Sequence, residues 1–190
     1  MQKALKKLTA SIILGTAIIM SSVFLIGCNS NTLTATVISG SMMPTIQIND
    51  QVTMQRTRNV THNDIIWYRQ FDHNGMQFYA IKRAIAFGGD TVEFKRNSQH
   101  NLFHVYLNGE PLQQYYQTLG MTQLNFLSYQ GFTQTNNSHF SLYIQQGFAF
   151  ILGDNRGTQD GGSQDSRQDG PLCLNTYLIG RVTAIHPRNT

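Results

Sequence analysis

The chain has 190 residues, 41% of them hydrophobic and only 13% charged, enough for one domain with a buried core plus an appendage. Its net charge of +4 is largely local, because Lys3, Lys6 and Lys7 lie in the first seven positions and the remainder is close to neutral. No basic stripe is left to neutralise phosphates, which excludes nucleic acid as a partner.

MQKALKK is followed by LTASIILGTAIIMSSVFLIG, residues 8–27, a run without a charge. At about 1.5 Å per residue it is long enough to cross a hydrocarbon core of roughly 30 Å as a helix. The lysines before it predict a cytoplasmic N-terminus, with everything after residue 28 on the outer face of the cytoplasmic membrane. A buried core helix is the competing reading, and a charge-free run of this length directly after three lysines disfavours it. The run ends in Leu25-Ile26-Gly27-Cys28, which resembles the lipobox of bacterial lipoproteins. Residues 1–28 therefore read as a single-span anchor or a lipoprotein-type segment lipidated at Cys28, and both contact membrane lipid. Cys28 and Cys173 are the two cysteines, and no disulfide is predicted between them. The histidines are scattered, no Cys/His spacing suggests a metal site, and no cofactor is expected.

Residues 29–33 read as a short polar linker and 34–190 as the extracytoplasmic domain. Its signals are mostly those of strands: ATVIS, QVTMQR, DIIWYRQ, FYAIKRAIAF, TVEFKR, FHVYL, SLYI, FAFIL and LIGRVTAI are short runs rich in Val, Ile, Tyr and Phe. IND, HNG, FGGD and LNGEP supply turns between them, and Asn108-Gly109 suits a two-residue type I′ hairpin. The predicted fold is mainly β, with several antiparallel sheets or hairpins. Residues 111–147 contain no Asp, Glu, Lys or Arg and are rich in Gln, Asn and Tyr, which predicts a polar insertion with extra strands.

Three segments carry candidate chemistry. In VISGSMMPTI, residues 37–46, Ser41 is a candidate nucleophile that would need an adjacent base and oxyanion donors. Gly40 would let another backbone approach it, and Ser39 could direct its hydroxyl to the same space; a plain turn is the competing reading. In YAIKRAIAFGGDTV, alternation puts Lys82 on one face of a strand with Ala80 and Ala84, and Arg83 on the other with Ile81 and Ile85. Desolvated there, the lysine would have a lowered pKa and could serve as a general base, whereas on a solvent face it would simply snorkel. In ILGDNRGTQDGGSQDSR, Asp154, Arg156, Asp165 and Arg167 offer ion-pair partners, and Ser163 and Ser166 offer hydroxyls. Taken alone, that segment also reads as a solvated loop.

In this order, on a β-rich domain behind a membrane segment, SGSMMPT, IKRAIAFGGD and GDNR…SQDSR resemble bacterial type I signal peptidases, the membrane-bound Ser/Lys proteases of protein export. The resemblance covers about residues 34–185 and implies a Ser41 nucleophile and a Lys82 general base. It implies that Ser39 and the Ser41 amide form the oxyanion hole and that Ser163 orients the lysine. Asp154, Arg83, Asp165 and Arg167 would brace the site as the pairs Asp154–Arg83 and Asp165–Arg167. Val37, Met42 and Ile81 would line the substrate groove. The implied substrates are preproteins with small residues at −1 and −3, bound as an added strand beside residues 35–39 or 79–82.

The sequence departs from the family pattern in two loops. Ala86-Phe87-Gly88-Gly89-Asp90 lacks the usual proline, which predicts a more mobile turn, and GTQDGG lengthens the spacing before SQDSR. Two further functions fit the same residues: a dedicated maturation peptidase for a pilin or conjugative-transfer protein, and an inactive lipoprotein that binds signal-peptide-like segments.

Overall fold

The computed structural model describes residues 31–71, 74–97, 102–112, 129–156 and 163–188. They form twelve strands in two antiparallel sheets, so the chain is mainly β as predicted. Among the described residues no helix is long and apolar enough to cross a membrane. The predicted anchor at 1–28, with Cys28, lies outside the described residues, as do 29–30 of the linker, 113–128 of the polar insertion and 157–162.

The first sheet contains β1 (Thr32–Thr36), β2 (Gln51–Arg56), β3 (Ile65–Phe71), β4 (Gln77–Phe87), β10 (Phe148–Leu152), β11 (Leu172–Cys173) and β12 (Leu178–His186). Its strand order is β1-β2-β12-β3-β4-β10-β11. The second sheet contains β5 (Thr91–Asn97), β6 (Leu102–Leu107), β7 (Glu110–Pro111), β8 (Thr133–Asn136) and β9 (His139–Tyr143), in the order β7-β6-β5-β9-β8. The polar segment thus contributes the hairpin β8–β9 to a sheet that already begins at Thr91. Two one-turn helices, α1 (Ser166–Asp169) and α2 (Leu174–Tyr177), interrupt the return to β12.

The strand patterns follow from which faces are covered. QVTMQR buries Val52 and Met54 and exposes alternate positions, as a half-buried strand should. FAFIL is buried almost throughout because β10 is covered on both faces. Its Phe150 and Leu152 join Ile85, Phe94, Val105 and Phe140 in the cluster between the sheets, while Ala149 and Ile151 pack on the opposite side with Ile66, Tyr68 and Ala84. In β4 the burial changes along the strand. Residues 77–79 are exposed and 82–86 are buried, because β10 pairs only from Arg83 onward.

One strand expectation is corrected. The strand expected at ATVIS ends at Thr36, and Val37 instead bonds the next turn, donating to Asp50 O (2.8 Å) and accepting from Asn49 N (2.7 Å). The turn that lacks proline is tied down: Asp90 accepts from Phe87 N (2.8 Å), pairs with His62 Nε2 (2.7 Å), and accepts from Asn108 Nδ2 (2.8 Å). At the predicted hairpin, Asn108 and Gly109 both have positive φ, 53° and 85°, and join β6 to β7.

Phe150 is fully buried and meets the rings of Phe94 and Phe132 edge-on, so it holds the two sheets together. Phe150→Ala should lower the unfolding free energy by about 3–5 kcal/mol, read as a lower denaturant midpoint.

Candidate active site

Ser41 sits in a 3-10 turn, Gly40–Met42, between β1 and β2. Ser39 caps this turn, its Oγ accepting from Ser41 N at 3.3 Å. Lys82 comes from the middle of β4, where Ile66 of β3 is its register partner. Lys82 Nζ donates to Ser41 Oγ at 2.8 Å, joining two residues 41 positions apart in the chain.

Lys82 is only 5% exposed, so it is not a snorkelling surface lysine. Burial pushes its amine below the ordinary value of 10.5; the negative charge of Asp165 pulls it back up in part, and Arg167 pushes it down again. Lysine alternates with Arg83 on this strand, as the pattern predicted, yet both are buried because β4 is covered on both sides there. Neutral, the Lys82 amine has a lone pair to accept the Ser41 proton, at a distance short enough for direct transfer.

Two buried ion pairs frame this contact. Arg83 and Asp154 form a bidentate pair (Nε–Oδ1 2.9 Å, Nη2–Oδ2 2.6 Å), and Asp154 Oδ2 also accepts from Thr45 Oγ1 at 2.6 Å. Arg167 and Asp165 pair in the same way (Nε–Oδ1 2.8 Å, Nη2–Oδ2 2.9 Å), and Asp165 Oδ2 accepts from Gly153 N at 3.0 Å. Asp165 is the N-cap of α1, with Gln168 completing a capping box. Charge-assisted, multiply bonded pairs of this kind offset the desolvation that a buried charge incurs.

One expected placement is corrected, and two expected side chains stand at the groove in other hydrogen bonds. Met42 does not line the groove: it is 1% exposed and points into the core with Ile46, Val52, Met54 and Trp67. A one-turn helix turns successive side chains by about 100°, so the residue after an outward Ser41 falls inward. Ser163 lines the groove but does not bond Lys82 among the described residues; its hydroxyl donates to Gln164 O at 3.3 Å. Ser39 and the Ser41 amide are adjacent but bonded to each other, so opening an oxyanion site requires the Ser39 hydroxyl to turn away from that amide. Val37 and Ile81 do line the groove, beside Ser41 and Lys82.

The groove has a volume of about 400 Å³, and its apolar side includes Val52, Met54 and Trp67 as well as Val37 and Ile81. It runs between residues 35–39 and residues 78–82. Both are free edges among the described residues: β1 pairs only with β2, and the first half of β4 pairs only with β3. Among the described residues no group of three or more His, Cys, Asp or Glu could hold a metal ion.

Asn155 and Gly153 escaped the sequence reading. Asn155 N donates to Ser41 O (3.1 Å) and Asn155 Nδ2 donates to Gly40 O (3.0 Å), so one residue holds two successive carbonyls of the serine turn. A Cβ on Gly153 would collide with the Ser163 side chain and lie 2.6 Å from Ser41 O, so only glycine lets these segments meet. The signal available for both was their place in GDNR, directly after an apolar strand.

The model of the signal peptidase family, peptidase S26, matches residues 7–186. The chain belongs to this family. It is also similar to a crystal structure of a signal peptidase I from Enterococcus faecalis V583, with 26% identity and a TM-score of 0.41 over 66% of this chain and 97% of that one. No curated protein matches. Family membership bears out the resemblance to type I signal peptidases read from the three motifs, and with it a peptidase.

A lysine with a lowered pKa has a signed effect on stability. Between its folded-state value and its ordinary value the unfolded chain binds more protons, so the stability of the folded state rises with pH across that window. Lys82→Met should therefore be more stable than the parent at neutral pH, with the gap closing as pH approaches 10.5; urea titrations of both proteins at several pH values read this.

Proposed function

We propose that the chain is a membrane-anchored serine endopeptidase that removes signal peptides from exported preproteins, using Ser41 as nucleophile and Lys82 as general base. The observation that carries this reading is the 2.8 Å contact between the Ser41 hydroxyl and a buried lysine amine at the wall of an open groove. Neutral Lys82 takes the Ser41 proton as Oγ attacks the scissile carbonyl. The resulting oxyanion is held by the Ser41 amide and the Ser39 hydroxyl once these two separate. Collapse expels the substrate amine, which takes the proton from Lys82 and leaves an ester on Ser41. Lys82 then activates the water that hydrolyses the ester.

The substrate enters as a strand between the free edges of 35–39 and 78–82, bonding to backbone on both sides. Val37 and Ile81 flank the groove beside Ser41 and would receive the small residues at −1 and −3. The uncharged run at 8–27 holds the domain at the outer face of the cytoplasmic membrane, where such substrates emerge. Ser163, without a bond to Lys82 in the resting site, orients the amine after a rotation of its hydroxyl.

Full-length protein in detergent should cleave a preprotein with an Ala-X-Ala site, and both Ser41→Ala and Lys82→Ala should abolish cleavage. Cleavage surviving in Lys82→Ala would remove the lysine from its role. With the parent, kcat/KM should rise with pH as Lys82 loses its proton, reaching half its plateau below 10.5. Asn155→Ala should lower kcat by about 10- to 100-fold, the range for lost positioning of a reacting group, with a smaller change in KM.

A further inference from the structure

The groove is not the end of the concave surface. A second cavity, of about 530 Å³, shares Gln70 and Gln164 with it as a common wall. Each glutamine is held from the side of the second cavity. Tyr68 Oη donates to Gln70 Oε1 at 3.2 Å, and Gln164 Nε2 donates to Asp169 Oδ1 at 3.0 Å. Gln70 is thereby left with amide hydrogens to offer a peptide carbonyl, and Gln164 with a carbonyl oxygen to offer a peptide N–H. A pair that presents one donor and one acceptor suits a polypeptide backbone passing between them.

The direction of that passage follows from β4. Ile81 and Lys82 are neighbours in a strand and point to opposite faces. The apolar wall that receives the acyl side of a substrate belongs to the Ile81 face, with Val37, Met54 and Trp67. The departing amine must come within hydrogen-bond reach of Lys82 Nζ to be protonated, and so belongs to the other face. On that face stand Ala80, Tyr68 and Gln70, and Ser163 and Gln164 line the groove together with Ala80 and Gln70. A chain leaving Lys82 on this side meets the two glutamines and then the second cavity. Tyr68, Phe71, Phe148, Ile151, Leu172 and Tyr177 give that cavity its apolar and aromatic side, and Phe71 meets Tyr177 edge-on at 6.5 Å. Phe71 is itself 47% exposed, an apolar ring left unburied.

We infer that the second cavity binds the leaving segment of the substrate, the first few residues after the scissile bond, and favours apolar or aromatic side chains there. Its size suits a few side chains and lies within the range of small-ligand sites. The inference rests on the peptidase reading above and adds a second selection to the small-residue rule on the acyl side. Gln70 and Gln164 would act as the threshold that keeps the emerging chain extended.

The test uses the full-length protein in detergent and two substrates with the same acyl side. One continues for several residues with an apolar segment after the scissile bond. The other ends there in a small chromogenic amide. Phe71→Ser, at the exposed mouth, and Leu172→Gln, in the wall, should each lower kcat/KM for the extended substrate by about tenfold, the effect of one lost apolar contact, and leave the short amide unchanged. The parent should also prefer the extended apolar segment over one of serine and glycine. An equal loss on both substrates, or no loss on either, would overturn the inference while leaving the peptidase reading in place. If the parent cleaves neither substrate, the peptidase reading fails, and this inference fails with it.

Discussion

Arg83 and Asp154 form a buried bidentate ion pair that ties together the segments carrying Ser41 and Lys82. Arg83 follows Lys82 directly in β4, and Asp154 precedes Asn155, which holds the serine turn by its two carbonyls. Thr45, shortly after Ser41 in the chain, donates to the same carboxylate. One guanidinium–carboxylate contact therefore fixes the strand that carries Lys82, the loop that clamps the Ser41 turn and the segment that follows it. With Asp154 fully buried, removing either partner would leave an uncompensated charge, which typically destabilises a protein by about 3–5 kcal/mol. The second pair, Asp165–Arg167, anchors the return segment to Gly153 and completes the frame.

That frame explains how the lysine's pKa can fall among so many charges. The two pairs are internally compensated, so their fields at Lys82 partly cancel: the carboxylates raise its pKa and Arg167 lowers it, while desolvation outweighs both. An uncompensated Asp165 would pull the amine's pKa back up, toward the charged form that cannot accept a proton from serine. The ion pairs thus serve two ends, one mechanical and one electrostatic, and both depend on the burial that β3, β4 and β10 provide.

Much of this could be read in the sequence because strands advertise themselves by period and composition. QVTMQR is bounded in the structure as it reads, and Asn108-Gly109 makes the turn its dihedral needs predict. The alternation around Lys82 correctly separated it from Arg83, but alternation says nothing about whether a strand is covered on one side or two, and that decides the lysine's chemistry. Met42 was misplaced because the resemblance assigned its role by position alone, and the single helical turn made there sends Met42 into the core. Asn155 was invisible because its role lies in two backbone carbonyls 114 and 115 positions away. The shared wall of glutamines is equally silent in sequence, since Gln70 and Gln164 meet only when β3 and the segment before α1 are brought together.

The account stands on the protonation of one amine. A direct measurement is an NMR titration of the Lys82 side chain, labelled at Cε, in the full-length protein in detergent and assigned by comparison with Lys82→Met. The account predicts a titration midpoint clearly below the ordinary 10.5, moving back toward it when Arg167 is replaced by a neutral residue that leaves Asp165 uncompensated. A midpoint at or above 10.5 in the parent would mean that the buried lysine stays charged at working pH, and Ser41 would then have no base beside it.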